Sequence, residues 1–283
     1  MIDSVGALLC GWPKKAGLFV AFFVVESMVF AILTLSPYFS TDTLLTVQVA
    51  LTAVLLVAAL FLRRSEKGEP YWPVCYAFFV AAAAVLLSGL YADELLGLLE
   101  LSVETPQGIA VAKFSESLLR VVPILVLMPL MGFGWRSLYL KKGRSRVWLP
   151  VGIAAWIVFP VLAYLILPNR EGALDKLLPL APWILLFVFS NAFMEELLFR
   201  GLFLQRYSAF LGRALSNVLT AVVFAVMHTQ VTYAADMLQF LAIVMILSLV
   251  WGYLIQRTDS LWGAVLFHAA GDCLVIFPIF ASM

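Results

Sequence analysis

Residues 191–204 read NAFMEELLFRGLFL. The stretch is apolar enough for a membrane helix, yet it carries Glu195, Glu196 and Arg200 within six residues. Its surroundings decide how it must be read. Of the 283 residues, 64% are hydrophobic and only 12% charged, with a mean hydropathy of +1.03. A soluble domain is nearer half apolar and a quarter charged. Too little polar surface remains to cover a body exposed to water, so the chain is expected to be an integral membrane protein.

Apolar runs of about 20 residues cross a hydrocarbon layer of roughly 30 Å. Nine runs qualify, near 16–36, 43–62, 73–91, 115–134, 147–168, 182–203, 217–234, 237–255 and 261–280. They are continuous rather than alternating, which argues against a membrane barrel. The expected fold is all-α, a polytopic transmembrane helical bundle of about nine spans, eight being possible. The first fifteen residues hold Asp3, Lys14 and Lys15 and no small-residue cleavage site, so the first run reads as a retained span.

Basic residues orient the spans. Five alternating segments hold 13 of the 18: Lys14 and Lys15; Arg63, Arg64 and Lys67; Arg136, Lys141, Lys142, Arg144 and Arg146; Arg206 and Arg213; and Arg257. The N-terminus is therefore expected in the cytoplasm, and the compact chain without organelle-retention signals favours a multi-pass protein of a prokaryotic cytoplasmic membrane. A net charge of +1 leaves no basic stripe for nucleic acid once the loops are assigned. Cys10, Cys75 and Cys273 are scattered and fit neither a disulfide framework nor metal spacing. The third basic segment, WRSLYLKKGRSR, is an organisational boundary. It divides an N-terminal accessory bundle, 1–146, from a functional membrane core, 147–283. The mixed stretch 92–120 suits an interfacial helix.

Nearly all the chemistry falls in the second part. Spans six, seven and nine hold Glu195, Glu196, Arg200, His228, His268 and Asp272. An ionisable group at mid-membrane costs ~3 kcal/mol on the lower estimates, so six imply a cost on the order of 10 kcal/mol before pairing. Mutual pairing around a polar cavity is the usual offset. Glu196 and Arg200, four apart, share a helix face and can form an ion pair. Glu195 points about 100° away and is left to face a cavity. Asn191, one turn earlier, can hold Glu195 by a hydrogen bond. His268 and Asp272 share a face, and Phe224 can pack beneath His228. At 1.5 Å rise per residue, Glu195, His228 and His268 fall at depths of roughly 12, 16 and 10 Å from the cytoplasmic side. A shared site is geometrically possible.

EELLFRG, FAVMH and HAAGD together resemble the EExxxR, FxxxH and Hxxx(N/D) motifs of the CAAX protease and bacteriocin-processing family, also called the abortive-infection family. The resemblance covers about residues 182–280, with the motifs in order and one span between the second and third. It implies an intramembrane endopeptidase of the glutamic type, without cofactor, acting on a membrane-associated peptide or protein near the cytoplasmic face. It further implies that Glu195 and His228 activate water and that His268 and Asp272 stabilise the oxyanion. Glu196 and Arg200 then support the site. Residue 272 is Asp where Asn is common in the family. An ionised Asp would repel an oxyanion, so it is either protonated or orients His268.

The residues suit that chemistry, because a carboxylate near a like charge in low dielectric is a better base than one in water. Three other readings use the same residues. Glu195, His228, His268 and Asp272 could ligate zinc, although no HExxH is present. Buried carboxylates and histidines also build proton relays in coupled transporters, although no inverted repeat is evident. A non-catalytic membrane scaffold is the third. Glu26 in the first span reads most simply as a lone inward-facing carboxyl. The oligomeric state is left open.

Overall fold

The computed structural model describes residues 11–32, 38–231 and 236–283. Asp3, Cys10 and the distal ends of the first and seventh apolar runs lie outside the described residues. Every regular element among those described is helical. Helix α1, Trp12–Ala31, opens on Pro13 in its first turn, where the missing N–H costs nothing. Helix α2, Thr41–Arg64, is capped by the Ser40 side chain, which accepts from the Thr43 N–H. Helix α3 runs Trp72–Leu98, and α4, Pro106–Leu130, is capped in the same way by Thr105. The stretch 92–120 therefore divides between the end of α3 and the start of α4, with no separate interfacial helix.

After the basic loop come α5, Trp148–Leu165, and a short α6, Ala173–Leu177. Helix α7, Ala181–Glu195, continues without a break through a π-helical stretch, Glu196–Leu204, into α8, Gln205–Leu211. Gly212, at φ +79°, ends this rod of 31 residues. Helix α9, Arg213–Met227, passes into a 3-10 turn at His228–Gln230, and α10, Met237–Thr258, and α11, Trp262–Ser282, complete the bundle.

Each of the nine expected runs contains a helix, but six segments are long and apolar enough to span by themselves: α2, α3, α5, the α7–α8 rod, α10 and α11. The other three differ for plain reasons. Helix α1 carries Lys14, Lys15 and Glu26, α4 carries Lys113, Glu116 and Arg120, and α9 has only 15 residues. The chain is a multi-pass membrane protein. Apolar side chains such as Val54, Phe61, Ile157 and Ile246 stand exposed on its outer faces, as lipid contact requires.

The rod lies at the centre, and every side chain from Glu196 to Leu204 is buried. Helices from both sides of the basic loop enclose it. Phe22 of α1 stacks on Tyr207 at 4.9 Å, and the Tyr207 hydroxyl donates to Glu26 at 2.7 Å. Glu26 thus points inward, as read from the sequence, but has a partner. Helix α11 lies between α5 and α7, while α10 packs on α9 and α11.

Four of the five basic segments meet at one end. Lys141 pairs with Asp259 at 2.7 Å, the Arg144 N–H donates to the Thr258 carbonyl, and Arg213 donates to the Gln256 carbonyl. Arg63 reaches Met131 at the edge of the same region. Burial, and next the Asp259 charge, push the Tyr139 phenol of this loop up to about 12.

Helices α5 and α11 touch through glycine. A Cβ on Gly152 would lie 2.9 Å from Leu266 Cβ, and one on Gly263 would lie 2.4 Å from Trp148 Cβ. Small residues are the usual means of close approach between membrane helices. Gly152→Val is expected to cost about 1–3 kcal/mol of stability through overpacking. Thermal unfolding in micelles would show this as a lowered midpoint, with Gly17→Val, in open space, as the unaffected control.

Candidate active site

The rod leaves α-helical hydrogen bonding at Glu196, the second glutamate of the opening stretch. Such π segments are rare and occur frequently at functional sites. Arg206, buried just past the end of the π stretch, donates to the Leu202 carbonyl at 2.6 Å and the Gly201 carbonyl at 3.4 Å. It satisfies backbone groups that the altered helix leaves available.

Glu196 and Arg200 are fully buried and form an ion pair at 2.8 Å. The same carboxylate oxygen, Oε1, is 2.9 Å from His268 Nδ1. With Arg200 donating to that oxygen, the imidazole is the second donor. Arg200 also donates to the Ser248 hydroxyl, and its guanidinium lies over the Phe224 ring at 4.5 Å. Trp251 stacks on His268 at 3.9 Å and 10°. One ion pair is therefore held by α7–α8, α9, α10 and α11 together.

Glu195 points elsewhere, with its side chain 16% exposed. Its Oε2 lies 3.4 Å from His268 Nε2, close enough for charge attraction but not aligned as a hydrogen bond. Asp272 Oδ1 is also 3.4 Å from Nε2. His268 thus sits among three carboxylates. Asn191 corrects one expectation: its amide donates to Asp272 Oδ2 at 3.0 Å instead of holding Glu195. The reason is direction, since the α11 carboxylate stands across from Asn191 while Glu195 turns to the cavity.

His228 closes the end of α9. Its Nδ1 is 2.8 Å from the Phe224 carbonyl, and the rings lie 4.4 Å apart. A carbonyl only accepts, so Nδ1 carries hydrogen and the neutral ring keeps its lone pair on Nε2. Among the described residues no hydrogen bond joins Glu195 to His228. Both instead open onto one cavity of about 460 Å³, together with Asn191 and Asp272. A second cavity of about 420 Å³ meets it at His228 and Asp272 and is lined largely by apolar side chains of α10 and α11.

Sequence reading missed the opposite wall. Lys113, Glu116 and Arg120 of α4 line the first cavity, although they precede the first motif, at Glu195, by 75 to 82 residues. Their i, i+3, i+7 spacing on one helix face was the available signal. Ser248 and Trp251, three apart on the span between the second and third motifs, were also unforeseen. Ser190 gives its hydroxyl to backbone carbonyls of its own helix, and the Cys273 thiol is buried against the Ala269 carbonyl. Among the described residues no group of three or more His, Cys, Asp or Glu is arranged to hold a metal ion.

Fold and site together define a helical membrane protein with a cavity of about 460 Å³ among its helices, lined by both ionisable and apolar side chains. Residues 177–274 match the family model described as type II CAAX prenyl endopeptidase, Rce1-like. The matched segment contains Asn191, Glu195, Glu196, Arg200, Phe224, His228, His268 and Asp272. The match supports an intramembrane protease. No curated protein and no solved structure matches this chain.

Proposed function

We propose that this protein hydrolyses a peptide bond of a membrane-associated peptide or protein, using water activated by Glu195 and His228 and no metal. One observation carries the reading: these two side chains open onto the same cavity, while the neighbouring Glu196 is held out of it by Arg200. Glu195 takes a proton from the water as its oxygen attacks the carbonyl carbon. His228 Nε2 accepts a hydrogen bond from the water's other O–H, which stays on the oxygen, and so orients the attacking lone pair. Glu195 then delivers its proton to the leaving amine nitrogen as the C–N bond breaks. Of its two possible roles, Asp272 takes the second: held by Asn191, it orients His268, whose Nε2 in turn steadies Glu195.

The end where the basic loops gather is assigned to the cytoplasm by the excess of Lys and Arg there. In this reading the N-terminus lies on the same side and the bilayer is a prokaryotic cytoplasmic membrane. The bilayer and the substrate are the partners this reading requires.

Purified protein should cleave membrane-anchored peptides in the presence of chelator, with no stoichiometric metal by elemental analysis. His228→Ala is expected to lower kcat by about 10²–10⁴-fold. Undiminished turnover by that variant would refute the mechanism, and activity recovered only with zinc would refute the metal-free chemistry.

A further inference from the structure

The α4 wall of the main cavity has a charge arrangement that the hydrolytic groups do not explain. Glu116 takes Lys113 Nζ on one carboxylate oxygen and Arg120 Nη2 on the other, each at 2.6 Å. Two cations around one carboxylate leave one positive charge in surplus. Neutralising Glu116 needs only one cation, and a second is costly inside a membrane bundle unless it has a use.

Arg120 is not fully committed. Its Nε donates to the Ser88 hydroxyl at 3.3 Å, while among the described residues Nη1 meets only the Met194 sulfur, at 3.9 Å. Sulfur is a weak acceptor, so donor capacity remains. Met194 adjoins Glu195, which sets this guanidinium beside the turn that bears the proposed base. Lys113 and Glu116 also line an adjoining cavity of about 410 Å³, so the surplus charge stands where two cavities join. The three side chains are about a quarter exposed, and therefore reachable. Across from them stand Glu195 and Asp272.

We propose that Lys113 and Arg120 bind a carboxylate of the substrate peptide and so fix which bond reaches Glu195. Glu116 holds the two cations apart and tempers their charge. Guanidinium is suited to the task by its planar fork of donors. The carboxylate comes from the peptide's own C-terminus or from an acidic side chain. The inference rests on the hydrolytic reading, but binding can be measured without turnover.

The test uses the full-length protein in micelles and three N-acylated fluorescent peptides. One ends in a free acid, one in an amide, and one in an amide with an internal Asp replacing Asn. Anisotropy titration is expected to show about tenfold tighter binding of one carboxylate-bearing peptide than of the plain amide, and which one identifies the source. The preference should shrink toward unity in Lys113→Gln/Arg120→Gln and persist in Arg120→Lys. It should grow in Glu116→Gln, which frees both cations, and that opposite direction separates recognition from misfolding. Equal affinity for all three peptides, absent binding included, overturns the proposal, as does a preference that survives the double variant. Turnover of the same peptides reports separately on hydrolysis. A carboxylate preference without cleavage refutes the hydrolytic reading alone, and cleavage without preference refutes this one alone.

Discussion

Glu195→Gln is expected to abolish most turnover, with kcat down about a thousandfold and KM changed little. The substitution keeps the shape and volume of the side chain but removes the group that takes the proton from water, and general base catalysis is typically worth 10²–10⁴-fold. Glu195 lies at ion-pair distance from His268 without a hydrogen bond, so the amide should disturb the surrounding network little. Steady-state kinetics on a membrane-anchored peptide, paired with thermal unfolding of the same preparations, separates chemistry from folding. A variant that keeps a tenth or more of its turnover at an unchanged midpoint would move the proton-accepting role away from Glu195.

Arg200→Met should have the largest effect on stability, about 3–5 kcal/mol. Neither Arg200 nor Glu196 has any exposed surface, and the arginine also serves Ser248 and lies over the Phe224 ring. Removing the cation leaves Glu196 buried with only His268 for a partner. Adding Glu196→Gln should recover much of the loss, because the uncompensated charge is then gone as well. A double-mutant cycle of unfolding free energies in micelles measures the coupling. A single-variant loss below about 1 kcal/mol would show that the pair is not what holds the central rod.

The sequence made the membrane class, the helical fold and the motif residues legible for a common reason. Charge is so costly in an apolar layer that the few groups present there must meet. The Glu196–Arg200 contact could be read from spacing alone. What could not be read were relations between distant helices. Asn191 turned out to serve Asp272 because the two face each other across α7 and α11, which no local period reveals. Lys113 and Arg120 fell in the mixed stretch 92–120 because helix ends were drawn from hydropathy, and α4 begins well before its apolar run does. The stacking of Trp251 on His268 was hidden for the same reason.

The π-helical stretch has a consequence for how this protein can change. In an ordinary helix each residue turns the chain by about 100°. Removing one residue between Glu196 and Leu204 would leave Asn191 and Glu195 in place but swing everything beyond it. Tyr207 would leave Glu26 and Phe22. Exchange of one apolar side chain for another would do none of this. The apolar positions of the segment can therefore drift in composition, but its length cannot: its spacing is a calibrated distance between the two glutamates and the half of the rod that anchors them.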